Sequence, residues 1–294
     1  MANLKEVRTR ISSVTSTQQI TKAMKMVSAS KLRRAQDAII AIRPYANKLK
    51  EILENLCSIT DESGKTFSSQ RQIKHVLLIP ITSNRGLCGP FNMNVIKLTN
   101  KLAKEKYRDY MVSVLSIGRK ADDYYKKTEL KIIGTDMPKH LHKLFDNLTY
   151  DHVAAVVEKI MNNYVLGDFD RVEIIYNQFK NASVQILKEE QYLPVVQSEN
   201  DGSGGSFRKD YIFEPGMQEI VEELIPRSLK IQLYRAMLES CAAEHGARMT
   251  AMHKATDNAT EILKTLKISY NKARQAAITN EIIEIVGGAS ALRN

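Results

Sequence analysis

A chain of 294 residues with 12 Tyr, 7 Phe and no Trp has room for one or two domains but lacks the aromatic bulk of a large compact core, which favours a helical rod with a modest domain. A formal net charge of +10 points toward an acidic partner or nucleic acid. Three widely spaced cysteines, Cys57, Cys88 and Cys241, argue against a disulfide framework or a zinc site and fit a reducing compartment. The charged start Met1-Ala-Asn-Leu-Lys-Glu lacks the apolar stretch of a signal peptide.

The first element, residues 1–58, reads as one helix. Stepping alternately by three and four from Leu4 lands on Val7, Ile11, Val14, Gln18, Thr21, Lys25, Ser28, Leu32, Ala35, Ile39, Ile42, Ala46, Leu49, Leu53 and Leu56, a coiled-coil seam with a polar middle. In that middle the apolar residues sit elsewhere, at Ile20, Ala23, Met24, Met26 and Val27, so the apolar face is expected to change there. The same helix carries a basic run that includes Lys22, Lys25, Lys31, Arg33 and Arg34.

A polar stretch from Thr60 to Gln72 marks a boundary. Residues 73–197 then alternate between strand and helix: strands at Ile73–Thr82, Met111–Ile117, Leu130–Gly134, Arg171–Gln178 and Val184–Glu190, helices at Phe91–Tyr107, Arg119–Lys127 and Tyr150–Tyr164. Such alternation predicts a mostly parallel α/β sheet with helices on its faces. The link Phe179-Lys-Asn-Ala182 is too short for a crossover, so one edge is expected to be antiparallel.

Ser198–Ser206 reads as a flexible linker. Pro215 and Pro226 are expected to bracket a short helix before the long one. The last element, 210–288, carries a second seam through Leu229, Leu233, Ala236, Ser240, Ala243, Ala247, Ala251, Ala255, Ile262, Leu266, Ala273 and Ile283, with Gly287-Gly288 as a stop. The fold class expected is therefore α/β: a long antiparallel coiled coil of N- and C-terminal helices plus a central Rossmann-like α/β domain. Equal rise along both helices sets Met1 opposite about Lys272, leaving roughly fifteen residues from Ala273 to Val286 beyond the partner. There Ile278, Ile282, Ile283, Ile285 and Val286 lack intramolecular cover. Either the tail folds back on its own domain or another protein supplies a socket.

Signals for chemistry are few. Arg85-Gly-Leu-Cys-Gly89, at a strand-to-helix turn, has the place of a nucleophile or phosphate cradle. It lacks the spacing of a nucleotide fingerprint and the lysine of a phosphate loop, and Pro90 removes a donor, so it is read as a structural turn. The six histidines show no metal-ligand spacing. No catalytic, cofactor or metal site is expected. A nucleic-acid-binding coiled coil is the runner-up, weakened by the absence of aromatic interleaving, and an α/β enzyme comes third.

Three blocks sharpen the reading. Ile20-Thr-Lys-Ala-Met-Lys-Met-Val-Ser-Ala-Ser-Lys-Leu-Arg33, Asn84-Arg-Gly-Leu-Cys-Gly89, and Ala247-Arg-Met-Thr-Ala-Met-His-Lys-Ala-Thr-Asp-Asn258 continuing through Tyr270 to Ala289 closely resemble the gamma subunits of F-type ATP synthases. The resemblance implies a rotor shaft that couples ion-driven rotation of a membrane ring to conformational change in catalytic beta subunits. Its partners would be a hexamer of alpha and beta subunits, the epsilon subunit and the ring of c subunits. It implies beta-subunit contacts at Lys22, Met24, Lys25, Lys31, Arg33, Arg34 and Arg248, and near the tip at Gln275, Thr279 and Glu281. It further implies an apolar sleeve around the uncovered tip residues, and a foot at Tyr211 and Glu214 meeting the ring and epsilon. The chloroplast members' regulatory cysteine pair has no counterpart in Ser198–Ser206. A bacterial protein, peripheral on the cytoplasmic side of the plasma membrane, is the expected setting.

Overall fold

The computed structural model describes residues 4–57, 67, 71–130, 137–138, 141–195 and 217–291. The expected strand at Leu130–Gly134, apart from Leu130, which lies in a turn, the linker Ser198–Ser206 and the foot residues Tyr211 and Glu214 lie outside them. Two helices dominate, α1 (Leu4–Cys57) and α5 (Met217–Ala291). The chain divides into two compact units, Ser30–Ala247 and Met1–Ala29 with Arg248–Asn294.

The larger unit holds a four-stranded sheet of order β2-β1-β3-β4, with β1 at His75–Pro80, β2 at Met111–Val114, β3 at Arg171–Phe179 and β4 at Gln185–Leu193. β1 pairs in parallel with β2 and β3, and β3 pairs antiparallel with β4, so the short 179–182 link does produce the antiparallel edge. β1 is apolar along its length because both its faces are covered. On one face Val76, Leu78 and Ile175 pack against α2 (Phe91–Lys101), the π-helical turn Leu102–Lys106 and α3 (Arg119–Tyr125). On the other, Leu77, Ile79, Ile174 and Tyr192 meet α4 (Tyr150–Leu166) and the base of α5 through Ile225, Leu229, Leu233, Ala236 and Met237. The lower part of the long helix is thus part of the domain core, each large side chain contributing roughly 1.5–3 kcal/mol.

Pro226 does not end a short helix as expected, since α5 runs unbroken from Met217 through it. The lost backbone hydrogen bond is outweighed by the burial of Ile225 and Leu229 on either side. Nor do Gly287 and Gly288 stop α5. Neither takes the left-handed conformation a stop requires.

A carboxylate lies inside the sheet. Glu173 on β3 is 1% exposed and accepts from Lys106 Nζ at 2.9 Å, Arg171 Nε at 3.0 Å and the Tyr107 hydroxyl. Burial, then the bond to Glu173, pushes the Tyr107 phenol up to about 12. This knot ties the end of α2 to β3 across the sheet, and it compensates a charge that would otherwise be costly to bury.

A second polar cluster joins β4 to α5. Glu190 accepts from Tyr176 Oη at 2.9 Å, Gln232 Nε2 at 2.7 Å and Arg235 Nη2 at 3.3 Å. Beside it, burial pushes the Glu239 carboxyl up, opposed by Arg235 and Lys188. A raised folded-state pKa means that folding binds a proton more tightly, so Glu239 detracts from stability as pH rises above the unfolded value of 4.5. Glu239→Gln is therefore expected to melt at or above the parent temperature near pH 7, with the gap closing toward pH 4. Thermal melts of both chains at the two pH values check this; a variant that melts lower at neutral pH contradicts it.

Candidate functional site

In the smaller unit the two helices run antiparallel. Gln18 Nε2 donates to Thr260 Oγ1 at 2.7 Å, and the Thr21 and Thr256 hydroxyls are 2.9 Å apart. The polar middle of the α1 seam faces inward, as the three-four stepping required, with Thr21 and Ser28 buried and Gln18 and Lys25 half-buried. Ser28 Oγ is satisfied by the Met24 carbonyl at 2.8 Å. Hydroxyl pairs in an otherwise apolar seam give up some stability and specify register. On α5 the inward residues are Met252, Thr256, Ala259, Leu263, Leu266, Tyr270 and Ala273. Ile262, expected on this seam, is exposed because the true stepping is one residue later, about 100° around the helix.

The hydrogen-bonded pairs set Leu4 opposite about residue 273. Cover therefore lasts longer than expected. Ala273 and Ala277 are half-buried, and exposure is continuous only from Ile278. From there α5 projects about fourteen residues, roughly 21 Å. Ile278, Ile282, Ile283, Ile285 and Val286 are 48% to 71% exposed. Near this tip Gln275, Thr279 and Glu281 are exposed, with Thr279 Oγ1 donating to the Gln275 carbonyl at 2.9 Å.

Off the seam, α1 exposes Ile20 (60%), Met26 (62%) and Val27 (57%) beside exposed Lys22 and half-buried Met24 and Lys25. The outward side of α5 differs in carrying acids among its exposed Lys254, Ile262, Lys264 and Ile268: His253 Nδ1 and Asp257 Oδ2 pair at 3.2 Å near exposed Glu261. Arg248 is buried. The register sets it level with about Ala29, more than a turn from the level of Met24. In the larger unit Lys31, Arg33 and Arg34 are exposed on α1.

The turn at Arg85–Gly89 is a joint. Cys88 is buried against Phe91 and Ala243, and Asn92 Nδ2 donates to its sulfur at 3.2 Å. Ser83 Oγ donates to the Arg85 carbonyl at 2.6 Å, and Asn84 Nδ2 to the His142 carbonyl at 2.7 Å. Leu87, left-handed at φ 64°, points outward. Among the described residues no group of His, Cys, Asp or Glu could hold a metal ion, and no helix is long and apolar enough to cross a membrane. Sequence reasoning missed Gly246, whose backbone touches the β3–β4 hairpin. A lone glycine within a helical pattern is the only trace such a contact leaves.

A family model described as ATP synthase matches residues 3–292. A curated relative from Flavobacterium johnsoniae, named ATP synthase gamma chain, is 56% identical over 99% of both chains. This chain belongs to the ATP synthase gamma-chain family. The gamma chain of Cytophaga hutchinsonii is 51% identical over the full length of both. Among solved structures, a chain of the Tetrahymena thermophila mitochondrial ATP synthase central stalk and c-ring superposes with a TM-score of 0.57 at 25% identity, covering 80% of this chain and 99% of that one. A chain of the Euglena gracilis mitochondrial F1 and c-ring assembly superposes with a TM-score of 0.65 at 24% identity, covering 98% and 94%. The fold of the family is thus the fold described above, and the nucleic-acid reading finds no support among these relatives.

Proposed function

We propose that this chain is the central shaft of a rotary ATP synthase, turning with a membrane ring and imposing its orientation on the catalytic beta subunits of an alpha–beta hexamer. The observation that carries this reading is the bare tip: a helix end with five large aliphatic side chains in water calls for an apolar collar. Contacts of that kind are non-directional, so an apolar sleeve around Ile278, Ile282, Ile283, Ile285 and Val286 holds the shaft without setting a rotational register.

Lower on the coil, the unlike outward faces of α1 and α5 present different chemistry to three identical beta subunits. A subunit facing Lys22, Met24, Lys25 and Ile20 meets a basic and apolar surface, whereas one facing Asp257 and Glu261 meets acids as well as Lys254, Lys264 and Ile262. Differential contact of this sort biases otherwise equivalent subunits toward different conformations. Lys31, Arg33, Arg34 and Arg248, with Gln275, Thr279 and Glu281 near the tip, complete the set of beta-subunit contacts in this reading, and Tyr211 and Glu214 serve the ring and the epsilon subunit. In domain terms, 1–58 and 210–288 form the coil and 73–197 the foot. The chain supplies no catalytic group or cofactor, and nucleotide chemistry belongs to the beta subunits. The assembly would be peripheral, on the cytoplasmic side of a bacterial plasma membrane.

Co-expression with alpha and beta subunits tests the reading. The purified complex should hydrolyse ATP and turn a bead fixed to this chain, whereas the chain alone should hydrolyse none. A chain that fails to enter the hexamer, or that hydrolyses ATP alone, overturns it. Within the complex, Met24→Glu should lower the ions pumped per ATP hydrolysed, because an added acid repels acidic residues of the facing subunit across a partly dry contact. Proton uptake and phosphate release measured on the same vesicles give the ratio, and an unchanged value removes Met24 from the contact.

A further inference from the structure

The helix α5 leaves the larger unit at Ala247 and continues into the other. Just before that point the face of α5 that carries Ala243, Gly246 and Ala247 meets two arms of the α/β domain. One arm is the tip of the β3–β4 hairpin. A Cβ on Gly246 would lie 3.2 Å from the Ala182 Cα, 3.3 Å from the Ala182 carbonyl oxygen and 3.4 Å from Phe179 Cε2, so the helix backbone rests directly on the hairpin. The other arm is the turn at Arg85–Gly89. With Leu87 at φ 64° and Gly89 at φ 61° the turn doubles back, which sets Cys88 and Phe91 against Ala243.

We propose that this clasp is the joint through which torque passes between the coil and the α/β domain, with Gly246 as its positioning residue; the proposal rests on the shaft function above. Beyond the domain, among the described residues, α5 is held by α1 alone, so the support nearest its exit governs how far it lifts from the domain under a side load. Close-packed contacts are stiff, because a gap of even a fraction of an ångström forfeits much of the attraction between the surfaces. The contact here is backbone to backbone and involves no flexible side chain on the helix. Alanine at 246 would press on the Ala182 backbone, which has no side-chain torsion through which to yield. The hairpin or the helix must move, and the clasp loosens at the point of greatest leverage.

The test uses the assembled complex, with its hexamer fixed to glass and a gold rod on the α/β domain, and reads the angular variance of the rotor while it is paused. Gly246→Ala and Phe179→Ala attack the clasp from opposite sides, the second without touching the helix. Each should raise the variance by about twofold or more and lower the ions pumped per ATP under load, while hydrolysis without load stays near the parent rate. Variance equal to the parent's in an assembled variant overturns the proposal, even where the free chain melts at a lower temperature, since packing alone would give that. Should Gly246→Ala not assemble, Phe179→Ala decides by the same criterion. A parent complex that does not rotate would count against the shaft reading, whereas a rotating parent with variants of unchanged variance counts against the clasp alone.

Discussion

Gly118→Ala should abolish stable folding of the α/β domain or cost it more than about 4 kcal/mol, the range of exceptional single substitutions. Gly118 holds φ 102° and ψ 147°, a region almost closed to residues with a Cβ. The steric problem is worse than the torsional one. A Cβ would fall 2.0 Å from the Thr82 carbonyl oxygen and 2.9 Å from Thr82 Oγ1. Thr82 cannot step aside: its N–H donates to the Ile117 carbonyl at 2.8 Å and its Oγ1 accepts from the Ala121 N–H at 3.0 Å. Those bonds close the parallel pairing past the end of β1 and hold the start of α3. Relief of the clash therefore requires the sheet and the helix to part. Urea unfolding of the α/β domain's signal measures the loss, with Gly86→Ala as the control. There the nearest atom to a new Cβ is the flexible Lys120 Cε at 3.9 Å, and the midpoint should hardly move. Equal midpoints for the two variants would contradict the assignment.

The coil was legible from periodicity even where hydrophobicity misled. Along α1 the step from Leu4 passes through Gln18, Thr21, Lys25 and Ser28, which turn inward, whereas Ile20, Met26 and Val27, which suggested a change of apolar face, do not. Side-chain direction on a helix follows the residue count, and a run of hydroxyls can pair across a seam as well as methyls can pack. On α5 the same reasoning slipped at Ile262, because a jump of seven from Ala255 passed over Thr256 and Ala259, where the inward stripe lies. The strand and helix alternation revealed the parallel sheet, and the brevity of the 179–182 link revealed its antiparallel edge. What stayed hidden depends on partners distant in sequence. Nothing near Glu173 announces that Lys106 and Tyr107 will neutralise it in the sheet, and nothing near Gly246 announces Ala182. The contact roles proposed for Lys22, Met24 and Gln275 rest on resemblance alone, since the surface side chains of a helix look alike in a single sequence.

Removing residues 278–294 should weaken binding of the chain to the alpha–beta hexamer by at least about a hundredfold while leaving the isolated chain's melting temperature unchanged. The first half follows from area. Five aliphatic side chains that stand about half or more exposed in the free chain would each return roughly 1.5–3 kcal/mol on full burial, and even half of the lower sum exceeds the roughly 2.7 kcal/mol of a hundredfold change in affinity. The second half follows from register. Cover by α1 lasts through Ala277, so the cut removes no described residue that is buried or half-buried in the free chain, and the seam from Val7 to Ala273 keeps its contacts. A cut six residues earlier, after Asn271, separates the two effects. It also removes Ala273 and Ala277, which lie level with the start of α1, and it should destabilise the free coil as well. Titrating each truncation into preformed hexamer and melting each alone gives four numbers. If the shorter cut lowers the melting temperature and spares the affinity, the tip is a structural part of this chain and the sleeve does not exist.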